Sequence, residues 1–183
     1  KFKRLSSKKI NRFVGNYLHA EHYYSRNIFI RNDSLIYSRP DQSGRESVLH
    51  AKSKNKFQLG EWEDTEVEFL THKDFQTMNV LIDGKIVDPF EKYIAVKYST
   101  KELAEFEGDF YSEELQTTYK LKLIDNKLTV WHQQMGNITL NPIKKDNFSS
   151  DGWQFRCIQF VRDQSNTIIA IKVSTDRAKN INF

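Results

Sequence analysis

The chain has 183 residues, enough for one large β domain or two small ones. A hydrophobic share of 38%, a charged share of 28% and 13% aromatics led by Phe and Tyr describe a soluble chain suited to half-buried strands, with no apolar run long enough to span a bilayer. The formal charge of +4 does not read as a nucleic-acid footprint. Lys1, Lys3, Arg4, Lys8, Lys9 and Arg12 carry the excess, no acid accompanies them, and the rest of the chain is close to neutral.

In chain order, residues 1–9 read as a solvated basic arm or linker, with no signal-peptide core after them. A chain that opens on Lys1 also reads as a segment from which something upstream has been removed. Ser6 and Ser7 precede a short helix that ends by Phe13, next to Gly15. From there the pattern alternates with period two: Val67 and Phe69 interleave with Glu66 and Glu68, which predicts strands with one apolar and one wet face. Asn32-Asp33 and Asp83-Gly84 mark turns. Residues 89–98 read as a connector. Ser99 and Thr100 then open a second short helix, with Glu102 placed to complete a capping box. Alternation resumes with Tyr119, Leu121 and Leu123 against Lys120 and Lys122, turns at Asp125-Asn126 and Asp151-Gly152, and returns in Ile169, Ile171 and Val173.

The second half repeats the first. Phe13-Val14-Gly15-Asn16-Tyr17 matches Phe106-Glu107-Gly108-Asp109-Phe110 at an offset of 93. After a slip to an offset of 91, Leu49 falls on Leu140, Phe57 on Phe148, Trp62 on Trp153, Val67 on Ile158, Phe69 on Phe160 and Val80 on Ile171. The expected fold class is therefore all-β: an antiparallel barrel of about eight or more strands, built from tandem repeats at 10–93 and 103–183, a short helix preceding each. Edge-to-edge joining of the two repeats into one domain over 1–183 protects the open edges of both. Two separate barrels are the alternative, disfavoured because some 80 residues each make poor independent cores.

Chemistry-bearing patterns are sparse. His19 and His22 flank Glu21, but on one strand they point to opposite faces, so no metal site is expected. Cys157 sits in an apolar strand pattern and reads as a buried thiol. The strings Ser6 to Lys9 and Ser53 to Lys56 fit the spacing of a serine–lysine nucleophile, yet the partner motifs of that chemistry are absent and the serines read as caps or turns. Glu66 and Glu68 form a solvated face, and Trp62 and Trp153 read as core anchors. The best candidate ligand site follows from the repeat: Arg39 and His132 are equivalent, with Tyr37 and Tyr119 beside them, at one barrel mouth that would suit an anionic group or peptide carboxylate. No cofactor is implied.

Several stretches also carry a resemblance. They are the run from Phe106 through Gly108, Asp109 and Phe110 to Leu115, then Tyr119-Lys120-Leu121, Leu140-Asn141-Pro142, Asp146-Asn147-Phe148, Phe160-Val161-Arg162-Asp163, Arg177 and Asn180-Ile181-Asn182-Phe183. Together they resemble the C-terminal domain of bacterial serine hydrolases related to β-lactamases and penicillin-binding proteins. The first repeat is similar more loosely, through Phe13 to Tyr17, Arg26 to Tyr37 and Phe57. The resemblance implies a lipocalin-like barrel that follows a catalytic serine-hydrolase domain in the same polypeptide, lies outside the cytoplasm, and covers or shapes that domain's cleft. It transfers no catalytic residue, so the chain alone is expected not to be an enzyme. Asp176 precedes Arg177 where the family commonly has glycine, which puts the last turn in question. The alternative function is a carrier for a small apolar or peptide ligand in the barrel lumen.

Overall fold

The computed structural model of the chain describes residues 2–19, 21–150, 155–175 and 177–183. It is predominantly antiparallel β and divides into two compact units, Lys1–Ile94 and Ala95–Phe183.

In the first unit, helix α1 (Ser7–Asn11) leads into eight strands: β1 (Gly15–His19), β2 (Ser25–Arg31), β3 (Ser34–Arg39), β4 (Arg45–Ala51), β5 (Lys56–Leu59), β6 (Trp62–Thr71), β7 (Gln76–Ile82) and β8 (Lys85–Tyr93). Each pairs with the next, and β8 returns to β1 through Asn16↔Tyr93 and His19↔Phe90, so the sheet closes. An eight-stranded closed antiparallel barrel is present, and all eight of its strands belong to the first unit, whereas the sequence reading drew them from both halves of the chain. Aromatic bulk explains how so short a segment fills its own interior, since each such side chain buries 150–250 Å² or so. Phe13 stacks on Phe69 at 4.4 Å and meets Phe57 edge-on at 5.5 Å, and Tyr17 meets Phe69 at 5.7 Å. Val67, Met78, Val80 and Phe90 complete the cluster, and Ile10 adds α1 to it.

The Asx turns form as expected. Asn32 and Asp33 both take positive φ (50° and 58°) in the two-residue hairpin that joins β2 to β3, the twist that matches right-handed strands. Asp83 (49°) and Gly84 (75°) do the same between β7 and β8. Gly15 is a sequence requirement of another kind: its φ is +149° and an added Cβ would sit 2.5 Å from Lys92 Cε. The connector is shorter than the sequence suggests, because β8 runs through Pro89 to Tyr93.

The second unit opens on α2 (Thr100–Leu103), where the Ser99 side chain accepts the Glu102 amide and the Glu102 carboxylate accepts the Ser99 amide at 2.7 Å. Strands β9 (Gly108–Ser112), β10 (Thr117–Ile124), β11 (Lys127–His132) and β12 (Gly136–Thr139) form one meander. A second meander contains β13 (Asn141–Lys144), β14 (Asn147–Ser149), β15 (Cys157–Arg162), β16 (Ile168–Ser174) and β17 (Ile181–Asn182). Asp125 and Asn126 again take positive φ between β10 and β11. At the offset of 93, β3 and β11 span equivalent residues. Where β4 runs unbroken, however, its counterpart is split at Leu140 into β12 and β13. One core joins both sheets, centred on Phe106, Phe148 and Phe160 with mutual ring distances of 4.7–5.5 Å. The Asp151-Gly152 turn, Trp153 and Asp176 lie outside the described residues.

Candidate functional site

Strand β3 places Leu35, Tyr37 and Arg39 on its core side, opposite Leu49, Ser47 and Arg45 of β4. The first of these joins the hydrophobic core, and the next two build a polar layer above it. The Arg39 guanidinium lies 4.7 Å from the Tyr37 ring and 5.5 Å from the Trp62 ring, and its Nη1 donates to Ser47 Oγ at 3.1 Å. Arg45 covers Trp62 at 5.5 Å. Trp62 is thus a mouth residue, 43% exposed, and not the core anchor its apolar character suggested. Trp62 opens β6 directly after the turn at Gly60-Glu61, where a register shift after Gln58 pairs it with Leu59.

Arg26, from β2, completes the layer. Its Nε donates to Tyr37 Oη at 3.0 Å, its Nη1 to the Ser25 carbonyl at 2.7 Å, and its guanidinium lies 4.4 Å from the Tyr24 ring and 5.6 Å from Phe90. The Tyr24 hydroxyl donates to Asp88 Oδ1 at 2.7 Å, and His19 Nε2 stands 3.7 Å from the same oxygen. Burial pushes the Tyr24 and Tyr37 hydroxyls up, so both remain protonated donors. The result is an alternating cation–ring ladder, Tyr24–Arg26–Tyr37–Arg39–Trp62–Arg45, that fills this end of the barrel.

His19 and His22 do not point apart as their spacing on a strand implied. Strand β1 ends at His19 and the loop turns back, so their rings lie 4.7 Å apart. His19 Nδ1 accepts the amides of Glu21 and His22, each at 3.2 Å, which leaves the proton on Nε2, facing Asp88. No group of three metal-ligating side chains occurs among the described residues. His19 resists protonation because burial disfavours its cation; His22 and Arg26 add to this, against Asp88 and Glu21. On acidification the unfolded chain therefore takes up this proton first, and the stability held above about pH 6.5 is lost as the pH falls below it. The denaturant midpoint of the first unit is expected to drop between about pH 7 and pH 5, and His19→Gln flattens that slope. A slope equal in the variant and the parent would rule this out. The Lys52-bonded Glu66 also loses stability on acidification, but only below its ordinary value near 4.5, a separate window.

The other predicted pair lies in the second unit. Tyr119 and His132 stand 6.2 Å apart, with Phe155 5.2 Å and 6.3 Å from them and Phe183 stacked on Tyr119 at 4.4 Å. Both line a cavity of about 210 Å³ formed by residues 117–119 and 131–134. The structure thus joins Tyr37 to Arg39 in the first unit and Tyr119 to His132 in the second.

No protein family and no curated protein matches this chain. The site is accordingly read from its own chemistry. Arg26, Tyr24 and Asp88 are the members that sequence reasoning missed, although Arg26 sits 93 residues before Tyr119 and so had the same repeat signal as Arg39. Cys157 is buried, its Sγ 3.6 Å from Asn147 Oδ1, and burial pushes the thiol up to about 12, which removes it from nucleophilic chemistry. Ser53 is a turn residue whose Oγ accepts the amides of Asn55 and Lys56. No helix among the described residues is long and apolar enough to cross a membrane.

Proposed function

We propose that the chain is a non-catalytic accessory domain of a serine hydrolase related to β-lactamases and penicillin-binding proteins, docking on or shaping the cleft of a catalytic domain in the same polypeptide, outside the cytoplasm. The observation that carries this reading is the filled interior of the closed barrel. Phe13, Tyr17, Phe57, Phe69 and Phe90 occupy its middle, and the Arg26–Tyr37–Arg39 layer fills one end. A ligand carrier needs an open lumen, so the packed interior favours recognition on the outside. The β7–β8 hairpin supplies apolar surface for it: Ile82, Ile86 and Val87 are all exposed, Ile86 to 58%. The same reading takes the two units as copies of one ancestral meander, which the matched spans of β3 and β11 and the matched Asx turns support.

The test has two parts. The isolated chain is expected to turn over neither a chromogenic β-lactam nor D-alanyl peptide esters, and turnover that a single substitution within it abolishes would refute the proposal. When the catalytic domain is supplied separately, Ile86→Asp is expected to weaken its association with the chain. Equal binding by the variant removes the hairpin as the docking surface.

A further inference from the structure

We propose that the α1 end of the first unit's barrel docks on an anionic lipid surface. This inference does not rest on the accessory-domain reading, and each can fail alone.

The meander decides which residues share this end. Consecutive strands run antiparallel, so the β2–β3, β4–β5 and β6–β7 connections turn at one end of the barrel and the β3–β4, β5–β6 and β7–β8 connections at the other. Helix α1 belongs to the first of these ends. Ser7 Oγ donates to Asp33 Oδ1 in the β2–β3 turn at 3.0 Å, and Arg12 Nη2 donates to the Lys54 carbonyl in the β4–β5 loop at 2.9 Å. The N-terminal arm is held there too: the Lys3 amide donates to the Ala51 carbonyl at 2.8 Å, and Phe2 stacks on His50 at 4.8 Å.

The distribution of charge follows from that placement. Ile10 turns the apolar side of α1 into the core, which leaves Lys8 and Lys9 exposed, with Lys3 and Arg4 before the helix and Arg12 after it. The loops bring two further exposed cations, Lys54 and Lys73. Among the described residues of these segments, the acids are Asp33 and Asp74. Lys52 and Lys56 are already matched by Glu66 and Glu68 on the barrel wall. The opposite end has the reverse sign, since Glu21, Glu61, Glu63, Asp64 and Asp83 are exposed there against Arg45 and Lys85. The barrel is thus polarised along its length. A negative surface draws one end and repels the other, and each Lys or Arg brought to it adds to the attraction.

Exposed rings separate a bilayer from a soluble polyanion as the occupant. Phe2 is 51% exposed, and Phe75, stacked on His72 at 4.2 Å in the β6–β7 loop, is 54% exposed. Both lie at the basic end. A phosphate chain in water offers such rings no apolar medium, whereas the headgroup boundary of a bilayer takes in an aromatic ring beside Lys and Arg stems. The excess charge is also spread over an arm, a helix and two loops, which suits a fluid array of headgroups that rearranges to meet it. Docked in this way, the barrel turns its β7–β8 hairpin away from the lipid and leaves that surface free.

The 183-residue chain is mixed with vesicles of phosphatidylcholine alone and of phosphatidylcholine and phosphatidylglycerol in equal parts, and bound protein is measured by flotation. Binding is expected on the anionic vesicles only. It should fall tenfold or more as sodium chloride rises from about 0.1 M to about 1 M, where the Debye length shrinks from about 10 Å to about 3 Å. Lys8→Glu combined with Lys9→Glu lowers the partition coefficient by about tenfold or more. Lys120→Glu combined with Lys122→Glu, an equal charge change on exposed residues of β10, leaves it unchanged. All four lysines are exposed, so these variants fold. Phe75→Trp supplies a reporter whose emission, taken as the difference from the parent, moves to the blue on vesicle binding and is quenched by brominated lipid. No binding to anionic vesicles at about 0.1 M salt, equal binding to phosphatidylcholine alone, or equal loss in the two double variants would each overturn the proposal. So would tight binding of polyphosphate with the Phe75→Trp emission unmoved by vesicles, which would assign this end to a soluble polyanion.

Discussion

Replacing Phe69 by alanine is expected to destabilise the first unit by about 3–5 kcal/mol, the range for removing a fully buried Phe side chain from a core that relaxes only in part. Phe69 sits where the barrel wall and the helix plug meet. It stacks on Phe13, which follows α1, and meets Tyr17 of β1 and Phe57 of β5 edge-on. Its loss therefore removes contacts to three separate elements at once. Against a total stability of about 5–15 kcal/mol for an ordinary domain, a loss of that size abolishes a large part of the margin. Phe69→Leu keeps most of the volume and costs less, while Phe75→Ala, at an exposed position just before β7 begins, stays within about 0.5 kcal/mol. Urea unfolding of the three variants measures the order. A Phe69→Ala midpoint no lower than that of Phe75→Ala would show that the interior is not held together by this ring.

What the sequence disclosed and what it hid divide along one physical line. Local rules read correctly: Asx pairs took the left-handed backbone that their short side chains tolerate, Ser99 and Glu102 capped α2, and alternation placed Val67, Phe69 and Ile171 inside. Closure did not. The bonds between β1 and β8 are backbone to backbone, so no side-chain pattern in residues 15–93 announces that they close, and the repeat made joining to the other half look necessary. The small-core objection overlooked Phe13, Phe57, Phe69 and Phe90, four almost fully buried aromatic side chains that fill the interior of so short a segment.

The ligand-site residues were legible in the same partial way. Arg39 and His132 were picked by the repeat, as equivalents at the polar ends of matching strands, and Tyr37 and Tyr119 as the aromatic residues beside them. What each pair touches was not legible, since the cations find their rings through contacts across strands: Arg26 reaches Tyr24 and Tyr37, and Arg39 reaches Trp62 beyond a register shift. Periodicity predicts which face a side chain takes and is silent about a strand that frays or bulges. His22 shows the same limit, brought beside His19 by a loop that alternation could not anticipate.

The Arg26→Met variant is expected to lose about 2–4 kcal/mol, from two buried polar groups that each lose a charged donor. Arg26 is 5% exposed and carries two directed hydrogen bonds besides its ring contacts, so its removal leaves the Tyr37 hydroxyl without its donor and the Ser25 carbonyl without its partner. Methionine keeps a flexible apolar stem in the space but supplies neither. Arg26→Lys discriminates between charge and geometry: it retains the positive charge, yet an ammonium has no planar face for Tyr24 and Phe90 and no fork that serves Tyr37 and Ser25 together. Lysine should therefore recover less than half of the loss. Tyr37→Phe removes the acceptor alone, and a double-mutant cycle with Arg26→Met isolates the hydrogen bond from the stacking. Full recovery by lysine would mean that charge alone matters at this position, and the ladder of rings and guanidiniums would then be an arrangement without energetic weight.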